Sequence, residues 1–193
     1  MDDRATVEGL DVRAALPEGV QLAGRDVTGC RFVGLTLVEG SLRGARLTDC
    51  RFERCELTLL DVTDATMYDV VFDACRLQAV DFGAVARDPV GLSVRFEECD
   101  LSLASFRDLD LRQVAFDGGR AHEAAFVAVD LRGVVMRGLD LRGAEIRGCD
   151  LRDADLRGSS GYVLSPCGNR VRGLRIDLAD AVGLLAAVGV CWE

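Results

Sequence analysis

The sequence predicts an all-β solenoid, a chain wound into a four-sided coil and closed at its C-terminal end by a short helix. Three observations predict it. Apolar residues recur at every fifth position. A second, smaller apolar residue recurs two positions before most of them. Acidic residues and prolines keep away from both sets.

The period is long and clean. Every fifth residue from Leu22 to Phe82 is apolar, and after one slip of phase every fifth residue from Phe96 to Leu156 is apolar too. All eight phenylalanines fall on these centres. A period of five matches neither the 3.6 of a helix nor the 2.0 of a strand. It matches a coil in which five residues make one short side and one corner.

With the centre called i, position i−2 is also apolar and mostly small, as at Cys30, Ala45, Cys50, Cys55, Ala65 and Cys75, then Cys99, Ala104, Ala124, Ala144, Cys149 and Ala154. The exceptions are Arg25, Gly40 and Gly119. Residues i and i−2 point inward, two apart as along a strand. Asp and Glu within the runs fall only on i−1, i+1 or i+2, and Pro17, Pro89 and Pro166 lie outside the runs. Glycine is frequent at i+2, for example Gly133 and Gly138, where a tight corner calls for positive φ.

Four sides make a twenty-residue coil. Successive coils then pair their backbones at about 4.8 Å, so the repeats build a rod of roughly 31 Å. Phe32, Phe52 and Phe72 are spaced by one coil and should stack on one side of the core.

The totals narrow the functional classes. A chain of 193 residues suits one domain. The expected division is a rod over residues 1–160, broken at about 84–93, and a capping and dimerisation segment over 161–193. The net charge of −9 argues against direct nucleic-acid binding, which needs a surplus of cations against phosphate. No apolar run is long enough to span a membrane, and no signal-peptide pattern opens the chain, so a cytoplasmic location is expected.

The eight cysteines are then expected to be reduced. They include no CxxC pair, and His122 is the single histidine, so no metal site is expected. His122 falls at i+1, an exposed position. No phosphate-binding loop, dinucleotide fingerprint or nucleophile elbow occurs, so neither an enzyme nor a cofactor is expected.

Stretches such as Cys149-Asp150-Leu151-Arg152-Asp153 and Ala154-Asp155-Leu156-Arg157-Gly158 resemble the A(D/N)LXX signature of pentapeptide-repeat proteins. The resemblance covers about residues 20–158 and implies a right-handed quadrilateral β-helix. The length, the single break and the tail from Arg170 onward are similar to the Qnr, MfpA and AlbG proteins, which protect or inhibit DNA gyrase. The chain departs from the Qnr pattern in having one clear loop. The resemblance implies a cytoplasmic homodimer joined through its C-terminal cap. It implies binding to bacterial gyrase, and to topoisomerase IV, by DNA mimicry, with protection from fluoroquinolones or natural-product poisons. The alternative is a pentapeptide-repeat scaffold with a non-topoisomerase partner.

The tail also reads from physics. Asp177 or Asp180 is a candidate N-cap for a helix over about 178–188. Leu178, Val182 and Leu185 share one helical face, widened by Val188, and Trp192 follows on a short terminal strand. These residues form the candidate dimer interface. Burial on the end of the rod alone is the competing reading, since an open solenoid end must be covered.

Mimicry needs concentrated negative charge, because B-DNA carries one charge per about 1.7 Å and the chain as a whole carries far less. If the break is a simple insertion of nine residues, Phe96 follows Phe82 by one side. One face then carries Asp61, Asp64, Asp81, Asp110, Asp130 and Asp150, and the next carries Asp49, Asp69, Glu97, Glu98 and Asp117. These are the candidate partner-binding carboxylates. If the break also shifts the face, only the columns within each half survive. Arg112, Arg132 and Arg152 stand near the last three acids of the first set, so paired structural ladders are an open reading. Arg87, Asp88 and Pro89 lie in the break and are candidate loop contacts.

Overall fold

The structure is a computed structural model that describes residues 5–16, 21–87 and 91–187. The first coil carries β1 (Thr6–Glu8) and β2 (Asp11–Arg13), and the second carries β3 (Asp26–Thr28) and β4 (Arg31–Val33). The third carries β5 (Arg46–Thr48) and β6 (Arg51–Glu53), and the fourth β7 (Thr66–Tyr68) and β8 (Val70–Asp73). Beyond the break come β9 (Val94–Glu97), β10 (Ser105–Arg107), β11 (Ala115–Asp117), β12 (Ala125–Val127), β13 (Met136–Arg137) and β14 (Glu145–Arg147). The chain ends in helix α1 (Leu178–Ala187).

All strand pairs are parallel, and within each half the register is one twenty-residue coil, as in Val27↔Leu47 and Phe32↔Phe52. The strands stack into three ladders, β1-β3-β5-β7, β13-β11-β9-β8-β6-β4-β2 and β10-β12-β14. The remaining sides pair through single bridges, for example Thr36↔Glu56↔Arg76 and Asp110↔Asp130↔Asp150. Four faces result, named here by one coil: the Leu47, Phe52, Leu57 and Val62 faces. Bridges at Asp150↔Arg170 and Asp155↔Arg175 carry the winding past residue 160 before α1 begins.

The core is the set of inward centres. Every phenylalanine is essentially fully buried. Phe32, Phe52, Phe72, Phe96 and Phe116 stack face to face, with centroid separations of 4.6, 5.0, 5.6 and 5.4 Å in turn. Phe82, Phe106 and Phe126 form a second stack that meets the first edge-on, as in Phe82–Phe96 at 5.3 Å.

The small inward residues do more than fill space. Cys55, Cys75 and Cys99 each donate a thiol hydrogen bond to a carbonyl of the preceding coil, on Phe32, Phe52 and Phe72. Ser159 and Asn169 reach carbonyls of Met136 and Ile146 in the same way. Corner backbone groups that the short ladders leave out are thereby satisfied. The described cysteines are all free, and burial pushes the Cys50 and Cys149 thiols up.

The break differs from the nine-residue expectation. β8 pairs directly with β9, Phe72 against Phe96, so this coil has 24 residues where the others have twenty. The insertion is therefore four residues, and Phe96 lies two sides after Phe82. Residues 85–87 and 91–93 stand on the otherwise missing side of the Leu47 face, where Ala86 N–H bonds the Ala65 carbonyl and Ser93 N–H bonds that of Met67. The reason is the core: four extra residues keep the phenylalanine stack unbroken through the slip of phase.

Candidate interaction surface

The four-residue insertion moves the second half by one face. Asp110, Asp130 and Asp150 stack on the Leu47 face, and not beneath Asp61, Asp64 and Asp81, which belong to the Val62 face and its following corner. Glu97, Glu98 and Asp117 stand on the Phe52 face and its corner, next to Asp49 and Asp69 at the preceding corner. The two expected acidic faces therefore do not form. On the described coils, the Leu47 face carries eight acids against eight Arg, the Phe52 face eight against eight, and the other two five against three each. Charge is close to balance on every side.

The candidate carboxylates divide by their place in the repeat. Those at i−1 cap their own turns. Asp61 accepts the N–H of Thr63, Asp81 that of Gly83, and Asp110, Asp130 and Asp150 those of Arg112, Arg132 and Arg152. The last three also hold the same arginine side chain at 2.6 Å, a charge-assisted fork. Asp61 pairs with Arg43 at 3.0 Å and Glu97 with Arg51 at 3.2 Å.

Those at the i+2 corners are different. Asp49, Asp64, Asp69 and Glu98 sit at positive φ, and form no ion pair with another described residue. Asp69 accepts the Ser93 hydroxyl at 3.2 Å. Asp117, at i+1 on the Phe52 face, is exposed and unpaired among the described residues. In the loop, Arg87 donates to the Asp108 carbonyl. Asp88 and Pro89 lie outside the described residues. Beside the loop is a 350 Å³ cavity lined by Thr66, Met67, Leu92 and Leu109, where the Thr66 hydroxyl oxygen is buried without a hydrogen-bond partner.

The most buried carboxylates were not singled out by the repeat. Glu53 receives Arg31 at 2.7 Å and Arg51 at 3.0 Å, and Asp155 receives Arg157 at 2.7 Å. Asp100 receives Arg120, Gln78 and Ser102. An arginine two positions on, or one coil away, was the available signal. The Arg31 guanidinium lowers Glu53 to about 2, and Arg152 lowers Asp150 to about 2. Burial opposes the shift at Asp100, but Arg120 and Ser102 bring it to about 2.

A folded pKa below the unfolded value means that the stabilisation is full above about pH 4 and is lost as pH falls towards the folded value. The urea midpoint is expected to be flat between about pH 5 and 7 and to drop steeply between about pH 4 and 2. A midpoint that falls already near neutrality would contradict this.

Helix α1 does not use its expected caps. Asp177 accepts the Gly158 N–H at 2.7 Å and Asp180 the Tyr162 hydroxyl at 3.0 Å, so both tie the helix to the rod. Leu184 packs on the core, while Leu178, Val182 and Leu185 remain 88%, 43% and 42% exposed. Val188 and Trp192 lie outside the described residues.

Another apolar feature was not read from the sequence. Outside α1, the exposed large apolar side chains among the described residues are Val38, Leu59, Leu103, Val135 and Val163. All except Val135 belong to the Leu57 face or the corner that follows it. That corner is a column, because the Glu39 N–H bonds Thr58, Leu59 bonds Gln78, Ala79 bonds Ser102, Leu103 bonds His122 and Glu123 bonds Arg142. Leu59 and Leu103 adopt φ of 57° and 62°, a conformation that costs an L residue about 1–2 kcal/mol. No described helix is long and apolar enough to cross a membrane, and no described cluster of His, Cys, Asp and Glu could hold a metal ion.

Comparison with known proteins agrees with this geometry. A family model for pentapeptide repeats matches eight copies, at residues 18–54 and 122–160. No curated protein sequence matches significantly. Among solved structures, trypsin-treated QnrB1, a plasmid-mediated fluoroquinolone resistance protein, is similar with a TM-score of 0.63 and 16% identity, covering 98% of each chain. Full-length QnrB1 gives 0.44 and 17% over 96% of this chain and 100% of that one. HetL from the cyanobacterium Nostoc, involved in heterocyst differentiation, gives 0.40 and 15% over 89% and 87%. The matched repeats, the twenty-residue winding and the parallel ladders give this chain the fold of a pentapeptide-repeat solenoid.

Proposed function

We propose that the chain is a non-enzymatic interaction protein of the bacterial cytoplasm that binds DNA gyrase, and topoisomerase IV, and protects them from topoisomerase poisons. The observation that supports this reading is the likeness to QnrB1 along nearly the whole of both chains. It is an argument from shared fold, joined to the resemblance in the tail. Contact would fall to the candidate carboxylates that no described arginine occupies, Asp49, Asp64, Asp69, Asp81, Glu98 and Asp117, and to the loop around Arg87. The near balance of charge on each face argues for mimicry of duplex shape with local acidic contacts rather than of its charge density.

The exposed row Leu178, Val182 and Leu185 supports dimerisation through α1, since a stripe of this kind is ordinarily covered by a partner. The balanced faces also favour a second reading, a scaffold for a partner other than a topoisomerase.

The test is gyrase supercoiling with and without a fluoroquinolone, using the wild type and a Leu185→Asp chain checked by light scattering. Rescue or inhibition by the wild type is expected, and Leu185→Asp should halve the mass. No effect on gyrases from several bacteria, the native host included, would return the second reading to first place. An unchanged mass would remove the dimer.

A further inference from the structure

From the apolar corner we infer that the column Glu39–Leu59–Ala79–Leu103–Glu123 is a docking ridge for an apolar groove on the topoisomerase, flanked there by two cationic side chains. The inference rests on the topoisomerase reading and adds the edge of the rod that makes the contact.

Three observations carry it. The exposed apolar side chains outside α1 gather on this edge, with Leu59 and Leu103 at 49% and 58% exposure and Val38 beside them at 50%. Elsewhere along the two runs the i+2 corners hold glycine, alanine, Asp, Glu, Gln113 or Arg54, residues that are small or solvated. Leucine at positive φ is disfavoured by the backbone, and with about half of each side chain left exposed burial is a weak reason for keeping it there. Strain kept at an exposed apolar residue points to contact with another molecule.

The ends of the ridge decide what kind of molecule. Glu39 and Glu123 are exposed, and neither forms an ion pair with another described residue. They stand four coils apart, about 19 Å at the ladder spacing. A second copy of this chain is a poor occupant. Antiparallel pairing about Ala79 sets Glu39 against Glu123 at both ends, and parallel pairing sets each glutamate against itself. A groove on another protein, with Lys or Arg at its two ends, meets the apolar centre and both charges at once.

The experiment measures binding of the full-length chain to gyrase from the native host by biolayer interferometry. Leu59→Gly with Leu103→Gly removes the apolar centre. Because glycine suits positive φ, this variant should melt no lower than wild type, so weaker binding would not reflect unfolding. Glu39→Arg with Glu123→Arg reverses the ends. Ala128→Gly, at a corner away from the ridge and at φ 56°, is the control. Both ridge variants should weaken binding by about tenfold or more, and the control should bind like wild type. Wild-type binding that both ridge variants retain would overturn the ridge and leave the topoisomerase reading standing. Absence of binding by the wild type would overturn both.

Discussion

Replacing Phe96 with alanine is expected to lower the free energy of unfolding by about 4 kcal/mol, the usual scale for a buried phenylalanine whose cavity cannot collapse. Phe96 touches four rings, Phe72, Phe82, Phe106 and Phe116, at 5.3 to 6.2 Å. It is also the first centre after the break, where the two regular halves join. In a solenoid each coil is stabilised mainly by its neighbours, so a weak joint uncouples the two sides. Urea unfolding followed by circular dichroism should therefore shift to lower denaturant and broaden or split. Phe126→Ala, which loses the contacts to Phe106 and Phe116, should shift the midpoint without splitting it. A single sharp transition for Phe96→Ala, with a loss below about 1 kcal/mol, would mean that the stack does not couple the halves.

Gly119→Ala is expected to cost about 3–5 kcal/mol, from backbone strain and overpacking together. Gly119 occupies an inward i−2 position where the repeat ordinarily has alanine or cysteine. The structure explains the exception. Its φ is 79°, and a Cβ there would stand 2.1 Å from the carbonyl oxygen of Cys99 and 2.7 Å from its nitrogen. These are backbone atoms of the coil below and cannot swing aside. Gly133→Ala is the matched control, since φ there is 70° with nothing within 4 Å of the added carbon. It should cost only about 1 kcal/mol. Equal losses at the two positions, measured by thermal or urea unfolding, would show that conformation alone governs and that the coil can shift.

The winding was legible because a repeat of five writes the same instruction many times. Centres such as Leu47 and Phe52 are inward in sequence and in structure, since one misplaced centre would expose a large apolar side chain in an otherwise continuous core. The exposed row of Leu178, Val182 and Leu185 was legible for the same reason of periodicity. The grouping of the carboxylates was not. It depended on the number of residues inserted at the break, and nothing in the composition of residues 84–93 counts them. Only the pairing of Phe72 with Phe96 does so, and it moved Asp110, Asp130 and Asp150 to the neighbouring face.

The sequence by itself determined the period, the inward set, the place of the break and the terminal helix, because these follow from local alternation of apolar and polar residues along one chain. Tertiary structure alone decided which charges are spent. Asp150 and Asp49 are both exposed-type positions in the repeat, yet one forks an arginine and caps its turn while the other stands at a corner with no ion-pair partner among the described residues. It also decided that Leu59 and Leu103 share an edge. Residues twenty or twenty-four apart become neighbours only when the coils stack, and that stacking is set by how the core closes.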